Sequence, residues 1–230
     1  TNVAPDVALS VITPIGLDHQ DALGATLTEI AAHKAGILRP HVPAIVARQA
    51  DAAREVIEMQ AEKLSAPLFL QGVHWDTYDS NGRLVVQTEE RALDLPLPAM
   101  FGAHQIDNAG LGCAALMAPW DRELEDEAFA AGVATARWPG RLQPLTRGAF
   151  SAPVRAGGGE VWVDGGHNAR AAEALARWLR DMQRKRPAQT IAIIGMRARK
   201  DAAAFVGALA GAVDQIIAVP LAEEHAPPSS

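Results

Sequence analysis

Asp164-Gly165-Gly166-His167-Asn168 sets a carboxylate, an imidazole and an amide within one short stretch, separated by two glycines. Such groups hydrogen-bond polar ligands. The apolar residues just before, Val161 to Val163, read as the end of a buried strand, so the polar groups fall where a strand hands over to a helix. In open α/β sheets that carboxyl edge is where ligands bind. The glycines allow close backbone approach, and a helix N-terminus offers N–H donors to an anion. An ordinary turn with Asn168 as N-cap reads the same way. The stretch alone leaves both open.

Other chemistry-bearing residues are spread along the chain. Asp18-His19-Gln20-Asp21 is a polar loop after a first apolar run. Lys34 falls in the last turn of an expected helix, where a cation suits the negative end of the dipole. His104, Gln105 and Asn108 cluster where another helix starts, with Gln105 and Asn108 three apart on one face. Such amides either cap the helix or read the edge of a base. Arg141 follows Pro139-Gly140 and is either a solvated charge or a fork for phosphate. The histidines His19, His104 and His167 have spacings that match no standard transition-metal pattern.

The elements that must position these groups alternate between strand and helix. Val7 to Ile12, Pro43 to Ala47 and Pro67 to Leu70 read as buried strands of a parallel sheet. Between them Thr26-Leu-Thr-Glu29 is a capping box opening a helix to Ala35 with Gly36 as its cap. Asp51 to Leu64 is a helix with Ala53, Ile57, Ala61 and Leu64 on one face. This βαβ order implies right-handed crossovers. From Val73 the pattern changes to a hairpin around Asn81-Gly82, a type I′ signal, with Trp75 and Tyr78 as packing residues. Leu95 to Pro98 is extended, and a small-residue helix, Ala109 to Met117, follows; its Gly110 and Gly112 suit close backbone packing. Asp126 to Arg137 is a further helix, and Pro139-Gly140 marks a domain boundary. Beyond it come a glycine-rich turn (Arg155 to Gly159), a strand (Glu160 to Asp164) and a helix (Ala169 to Lys185) with Ala172, Leu175, Ala176 and Leu179 inward. A strand (Thr190 to Gly195), a helix lined by Phe205, Leu209 and Val213, and a strand (Gln215 to Val219) complete a second, doubly wound pattern.

Composition narrows the function classes. At 230 residues, 49% hydrophobic, the chain can bury one large or two modest cores. A net charge of −6 gives no basic footprint for nucleic acid and no polybasic membrane patch. The single cysteine, Cys113, excludes an internal disulfide framework and fits a reducing cytoplasm. No apolar run approaches the length of a membrane helix, and no signal peptide opens the sequence.

Several blocks, in order, resemble the folylpolyglutamate synthase/dihydrofolate synthase family of Mur-type ATP-dependent amide ligases. Thr1-Asn2-Val3 looks like the end of that family's Leu-Asp-Ala-Thr-Asn segment. Ile15-Gly16-Leu17-Asp18-His19, Leu23-Gly24 and Glu29-Ile30 through Lys34-Ala35-Gly36-Ile37 resemble its most recognisable block. His104-Gln105-Ile106-Asp107-Asn108-Ala109 is similar to the ligases' His-Asn/Gln-x-x-Asn-Ala motif, and Trp138-Pro-Gly-Arg141-Leu-Gln143 to the Pro-Gly-Arg hinge. Asp164-Gly-Gly-His167-Asn168 is similar to Asp-Gly/Val-Ala-His-Asn, with Gly166 in place of the usual alanine. Gly195 with Lys200-Asp201 fits the Gly…Lys-Asp that follows the next strand.

The resemblance implies an α/β fold: the remainder of a P-loop-type parallel-sheet ATPase domain with a small β-hairpin region over residues 1–140, then a Rossmann-like doubly wound C-terminal domain over 141–230. It implies phosphorylation of a folate or pteroate carboxylate by ATP and attack of a glutamate amine on the acyl phosphate. In that scheme His19 is a ligand of magnesium, and Lys34, carbamylated, becomes a carboxylate serving the same ion. A hard dication prefers oxygen ligands and would be repelled by an ammonium. Asn108 is expected to bond adenine. Arg141 is expected to bind ATP phosphate and offset charge in the transfer. Asp164 is expected to hold the ribose or nucleotide from the second domain with His167 close by, and domain closure to complete the site. The implied ligands are ATP, Mg²⁺, L-glutamate and dihydropteroate or folate. The implied protein is a cytoplasmic monomer without nucleic-acid or membrane partners.

One feature departs from the family. No Gly-Lys-Ser or Gly-Lys-Thr occurs in the 230 residues, so the G-x-x-G-K-[ST] phosphate loop is lacking. Nothing then cradles the β- and γ-phosphates. The chain is therefore expected to be a fragment, short of the phosphate loop and of the C-terminal end, and by itself inactive. Two alternatives stand beside the folate ligase: a cell-wall amino-acid ligase of the same superfamily, and a truncated chain that only binds nucleotide.

Overall fold

A computed structural model describes residues 6–18, 20–117, 124–197 and 201–221. It divides into two compact units, Thr1–Trp138 and Pro139–Ser230. Among the described residues no helix is long and apolar enough to cross a membrane.

The first unit is built on a parallel sheet whose middle strand is apolar on both faces. Strands β1 (Ser10–Ile12), β2 (Ala44–Val46) and β3 (Leu68–Leu70) lie side by side in chain order, with Ser10 opposite Ala44 and Ala44 opposite Leu68. Each is shorter than the sequence suggests. Between β1 and β2 run α1 (Gln20–Leu23) and α2 (Leu27–Ala35), and between β2 and β3 runs α3 (Asp51–Leu64). Val46, Ile57 and Ala61 share one core with Ile12, Ala35 and Leu38. The alternate residues Ile45 and Ala47 turn to the other face, against Trp75, Leu111 and Ala114. That two-sided burial is why PAIVA reads as a continuous apolar run.

An antiparallel sheet follows: β4 (Trp75–Ser80), β5 (Arg83–Thr88) and β6 (Ala92–Pro96). Asn81 and Gly82 have φ of 53° and 79°, the two left-handed residues a type I′ turn requires. Leu84, Val86, Leu93 and Leu95 face α4 (His104–Met117) and α5 (Asp126–Thr135), closing a core with Cys113, Phe129 and Val133. Tyr78, expected to pack, is 43% exposed, and its hydroxyl donates to Gln87. At Gly110 the close neighbour is a side chain rather than the expected backbone: a Cβ there would lie 2.3 Å from Thr77 Oγ1. At Gly112 nothing lies within 4 Å of the same position. Helix α4 begins at His104 rather than Ala109, so His104, Gln105 and Asn108 sit within its first turns.

In the second unit β7 (Gln143–Pro144) pairs antiparallel with β8 (Trp162–Val163), and β9 (Ile191–Ile194) pairs parallel with β10 (Gln215–Ala218). The expected strand over Glu160 to Asp164 is thus confined to its middle. The expected turn at Arg155 is instead the end of a short helix, α6 (Ser151–Ala156), with Pro153 tolerated in its first turn. Helices α7 (Ala169–Lys185) and α8 (Ala202–Leu209) pack through Ala172, Ala176, Phe205 and Leu209, with Leu175, Leu179 and Ile194 beside them. Val213 lies beyond α8, in a bridge with Ala210.

Candidate functional site

In the first unit the loop after β1 leaves the carboxyl edge of the parallel sheet. Gln49, just past β2, holds its start: Gln49 Oε1 accepts from Ile15 N at 2.9 Å and Nε2 donates to Thr13 O at 3.0 Å. The loop continues through Asp18. His19 lies outside the described residues. Neighbouring Arg48 bonds both carboxylate oxygens of Asp76 at 3.2 and 3.1 Å, while its backbone N–H donates to Gln71 Oε1. Gln49, Arg48 and Gln71 went unremarked in the sequence, although polar residues directly after apolar strands carry the relevant signal.

Lys34 sits on the exposed side of α2, one residue before the fully buried Ala35. Its ammonium has no ion-pair partner among the described residues. The helix that presents it is fastened at its start. Thr26 N–H and hydroxyl both donate to Glu29 Oε2, and Glu29 N–H donates back to Thr26 Oγ1. Those backbone and side-chain bonds from Thr26 hold the Glu29 carboxyl below the usual carboxylate range. Gly36 ends the helix in right-handed backbone.

On α4 the two amides separate by burial. Gln105 is 3% exposed and Asn108 faces solvent. Asn108 Nδ2 donates to Gln105 Oε1 at 3.1 Å, and Gln105 Nε2 lies 2.9 Å from His104 Nε2. Neither amide caps a helix end. Cys113, further along α4, is a packing residue: burial pushes its thiol up to about 11, far from a reactive thiolate.

In the second unit two motifs more than twenty residues apart are joined by hydrogen bonds. Pro139-Gly140-Arg141 turns sharply, with Gly140 at φ 69° and buried Leu142 at φ 41°. Leu142 N–H donates to Asp164 Oδ2 at 2.8 Å, and Gly165 N–H donates to Gly140 O at 2.7 Å. The other carboxylate oxygen, Asp164 Oδ1, accepts from Gly166 N at 2.7 Å. His167 Nδ1 lies 3.0 Å from Gly165 O. A carbonyl only accepts, so Nδ1 carries the proton. Asn168 caps α7, its Oδ1 accepting from Ala171 N at 2.9 Å. Arg141 is exposed, and a Cβ on Gly165 would lie 3.6 Å from its Nη1. The structure thus brings Arg141, Asp164 and His167 together within one unit, while Lys34 and Asn108 stand on separate helices of the other. Lys200 lies outside the described residues.

The residues present suit the implied ligands unequally. Among the described residues no three His, Cys, Asp or Glu side chains gather to hold a metal ion. Lys34 as an ammonium would repel a cation. The described residues therefore do not make a metal site as they stand. Nucleotide chemistry suits the candidates one by one: in the second unit the exposed Arg141 guanidinium suits phosphate oxygens, and in the first unit the exposed Asn108 amide suits a base edge.

The family described as Mur ligase, glutamate ligase domain, matches residues 151–230. The chain is 33% identical over 192 residues to a dihydrofolate synthase/folylpolyglutamate synthase of Bacillus subtilis, covering 78% of this chain and 41% of that protein. The fold is similar to that of Escherichia coli FolC in complex with DHPP and ADP, with a TM-score of 0.79 and 31% identity over 94% of this chain and 47% of that one. It is also similar to a bifunctional folylpolyglutamate synthase/dihydrofolate synthase with Mn, AMPPNP and L-glutamate bound (TM-score 0.76, 29% identity, 94% and 48% coverage). The chain spans less than half the length of each of these proteins.

Proposed function

Because the chain belongs to the folylpolyglutamate synthase/dihydrofolate synthase family, we propose that the protein joins L-glutamate to dihydropteroate, to a reduced folate, or to both, at the expense of ATP. The observation that carries this reading is the hydrogen-bonded joint between Pro139-Gly140-Arg141 and Asp164-Gly-Gly-His167-Asn168. Such a joint fixes the Asp164 carboxylate against the backbone turn that carries Arg141, and His167 follows from the same strand-to-helix junction. A preorganised cation is what transfer of a charged phosphoryl group requires.

ATP supplies the phosphoryl group: a substrate carboxylate oxygen attacks the γ-phosphorus, ADP departs, and an acyl phosphate forms. The glutamate amine then attacks the acyl carbon, an amide C–N bond forms, phosphate leaves, and the amine proton is released. In this scheme Arg141 binds phosphate oxygens and offsets their charge during transfer. Asp164 keeps the Arg141 turn in place through Leu142 N–H and has lone pairs left for a ribose hydroxyl. His167 stands beside it with Nδ1 occupied by Gly165 O. Asn108 contacts the base. Carbamylated Lys34 and His19 would serve Mg²⁺, which would offset phosphate charge. The reading includes a cytoplasmic monomer that takes small-molecule substrates only.

The test is ATP-dependent incorporation of labelled glutamate by the full-length protein, offered dihydropteroate and tetrahydrofolate in turn. Incorporation onto either supports the proposal. Turnover of a cell-wall peptide precursor with neither pteridine accepted overturns it. In the active protein Arg141→Ala is expected to lower kcat by about 10²–10³. For the 230 residues by themselves, the absence of a Gly-Lys-Ser/Thr sequence favours a second reading, nucleotide binding without turnover. Calorimetric titration of ATP into this chain tests it; absence of heat of binding removes that reading.

A further inference from the structure

Gln105, at 3% exposure, lies too deep to touch a base, but it contacts a residue that can. Its Nε2 sits 2.9 Å from His104 Nε2. An amide nitrogen only donates, so that imidazole nitrogen accepts. With Nε2 turned to His104, Gln105 Oε1 is left to accept from Asn108 Nδ2 at 3.1 Å. Exposed Asn108 therefore has its amide oriented from beneath. One Nδ2 hydrogen is used on Gln105, while Oδ1 and the second Nδ2 hydrogen have no partner among the described residues. An acceptor beside a donor complements adenine, whose N6 amino group donates and whose N7 accepts. Guanine presents O6 and N7, both acceptors, so Oδ1 would face another oxygen.

We propose that Gln105 is a positioning residue that fixes the polarity of the Asn108 amide and makes the site select a 6-amino over a 6-oxo purine. The inference rests on the reading of Asn108 as the base contact and goes beyond it by assigning the discrimination to a buried neighbour. Without the Gln105 acceptor, the Asn108 amide can turn over and offer Nδ2 to O6. Affinity for the base then survives while selectivity is lost, an outcome that a purely structural role for Gln105 does not produce.

Calorimetric titration of ADP and of GDP into the full-length protein reads this directly, with no dependence on turnover. The unmodified protein is expected to favour ADP on the order of tenfold or more. Gln105→Met should bring the two affinities together. Gln105→Glu, which keeps an oxygen facing Asn108 Nδ2, should retain the preference. A Gln105→Met protein that keeps the full preference, while Asn108→Ala abolishes it, overturns the inference and spares the base-contact reading. A preference untouched by Asn108→Ala overturns both. Should the methionine variant not fold, Gln105→Asn withdraws the same amide by one methylene and is read against the same two outcomes.

Discussion

Gly166 stands where the resembling family usually has alanine, and the structure gives the substitution a measurable consequence. A Cβ there would lie 2.8 Å from Asp164 Oδ1 and 3.0 Å from Ala171 Cβ. Either the carboxylate or the start of α7 must move to admit it. Gly166→Ala is therefore expected to destabilise the protein by about 1–3 kcal/mol, read as a shift of the denaturant midpoint at unchanged slope. A stabilised variant would mean that Asp164 is not held between Leu142 and Gly166 N–H groups as described. The polar residues of this stretch, and Asn168 as the N-cap, were legible because a glycine turn after an apolar run announces a strand-to-helix junction. The tie from Asp164 to Leu142 was not. It joins residues remote in sequence, and the left-handed backbone at Leu142 that makes it possible leaves no trace in side-chain pattern.

Two helices carry the candidate residues of the first unit, and each depends on a contact that can be removed. Thr26→Ala removes the hydroxyl that caps Glu29 N–H while leaving the backbone Thr26 N–H bond to Glu29 Oε2, and should cost about 1 kcal/mol, seen as lost amide-exchange protection at Glu29. The same box is acid-sensitive. Hydrogen bonds from Thr26 lower the Glu29 carboxyl from its ordinary 4.5, so its contribution is complete above that value and is lost as pH falls below it through the folded-state value. Protection of α2 should fall in that acid window in the unmodified protein, and Glu29→Gln should show no such step. A step that persists in Glu29→Gln contradicts the assignment. For α4 the decisive contact is Gly110 against Thr77. Gly110→Ala forces the helix away from the hairpin and is expected to cost about 1–3 kcal/mol, more than helix propensity alone would return. A thermal midpoint that rises instead would rule the contact out. The capping box was plain in the sequence, since its two partners are local. The start of α4 was placed at Ala109, where the small residues begin, although His104, Gln105 and Asn108 were read as clustering at a helix start. The first turn is polar, and its inward residue, Gln105, is buried by packing that the sequence does not show.

The whole molecule is an α/β chain in two units, and their legibility differs for a physical reason. In the first unit PAIVA is apolar on consecutive positions because both faces of β2 are covered, so a central parallel strand could be read directly. In the second unit β9 keeps Ile191 and Ile193 about half or more exposed, and β7 and β8 are two residues each. Short ladders of this kind are fixed by pairing rather than by burial, which is why the antiparallel β7–β8 pair escaped a reading based on apolar runs. The helices α7 and α8, with clear inward stripes, did not escape it. The folate-ligase reading unites the motifs of both units in one reaction, and that reaction has a signature independent of any single residue. Full-length protein given ATP, glutamate and a pteroate substrate whose carboxylate carries heavy oxygen should release inorganic phosphate bearing one labelled oxygen, because the acyl phosphate passes its bridging atom to the departing phosphate. Amide formation with unlabelled phosphate would contradict the account.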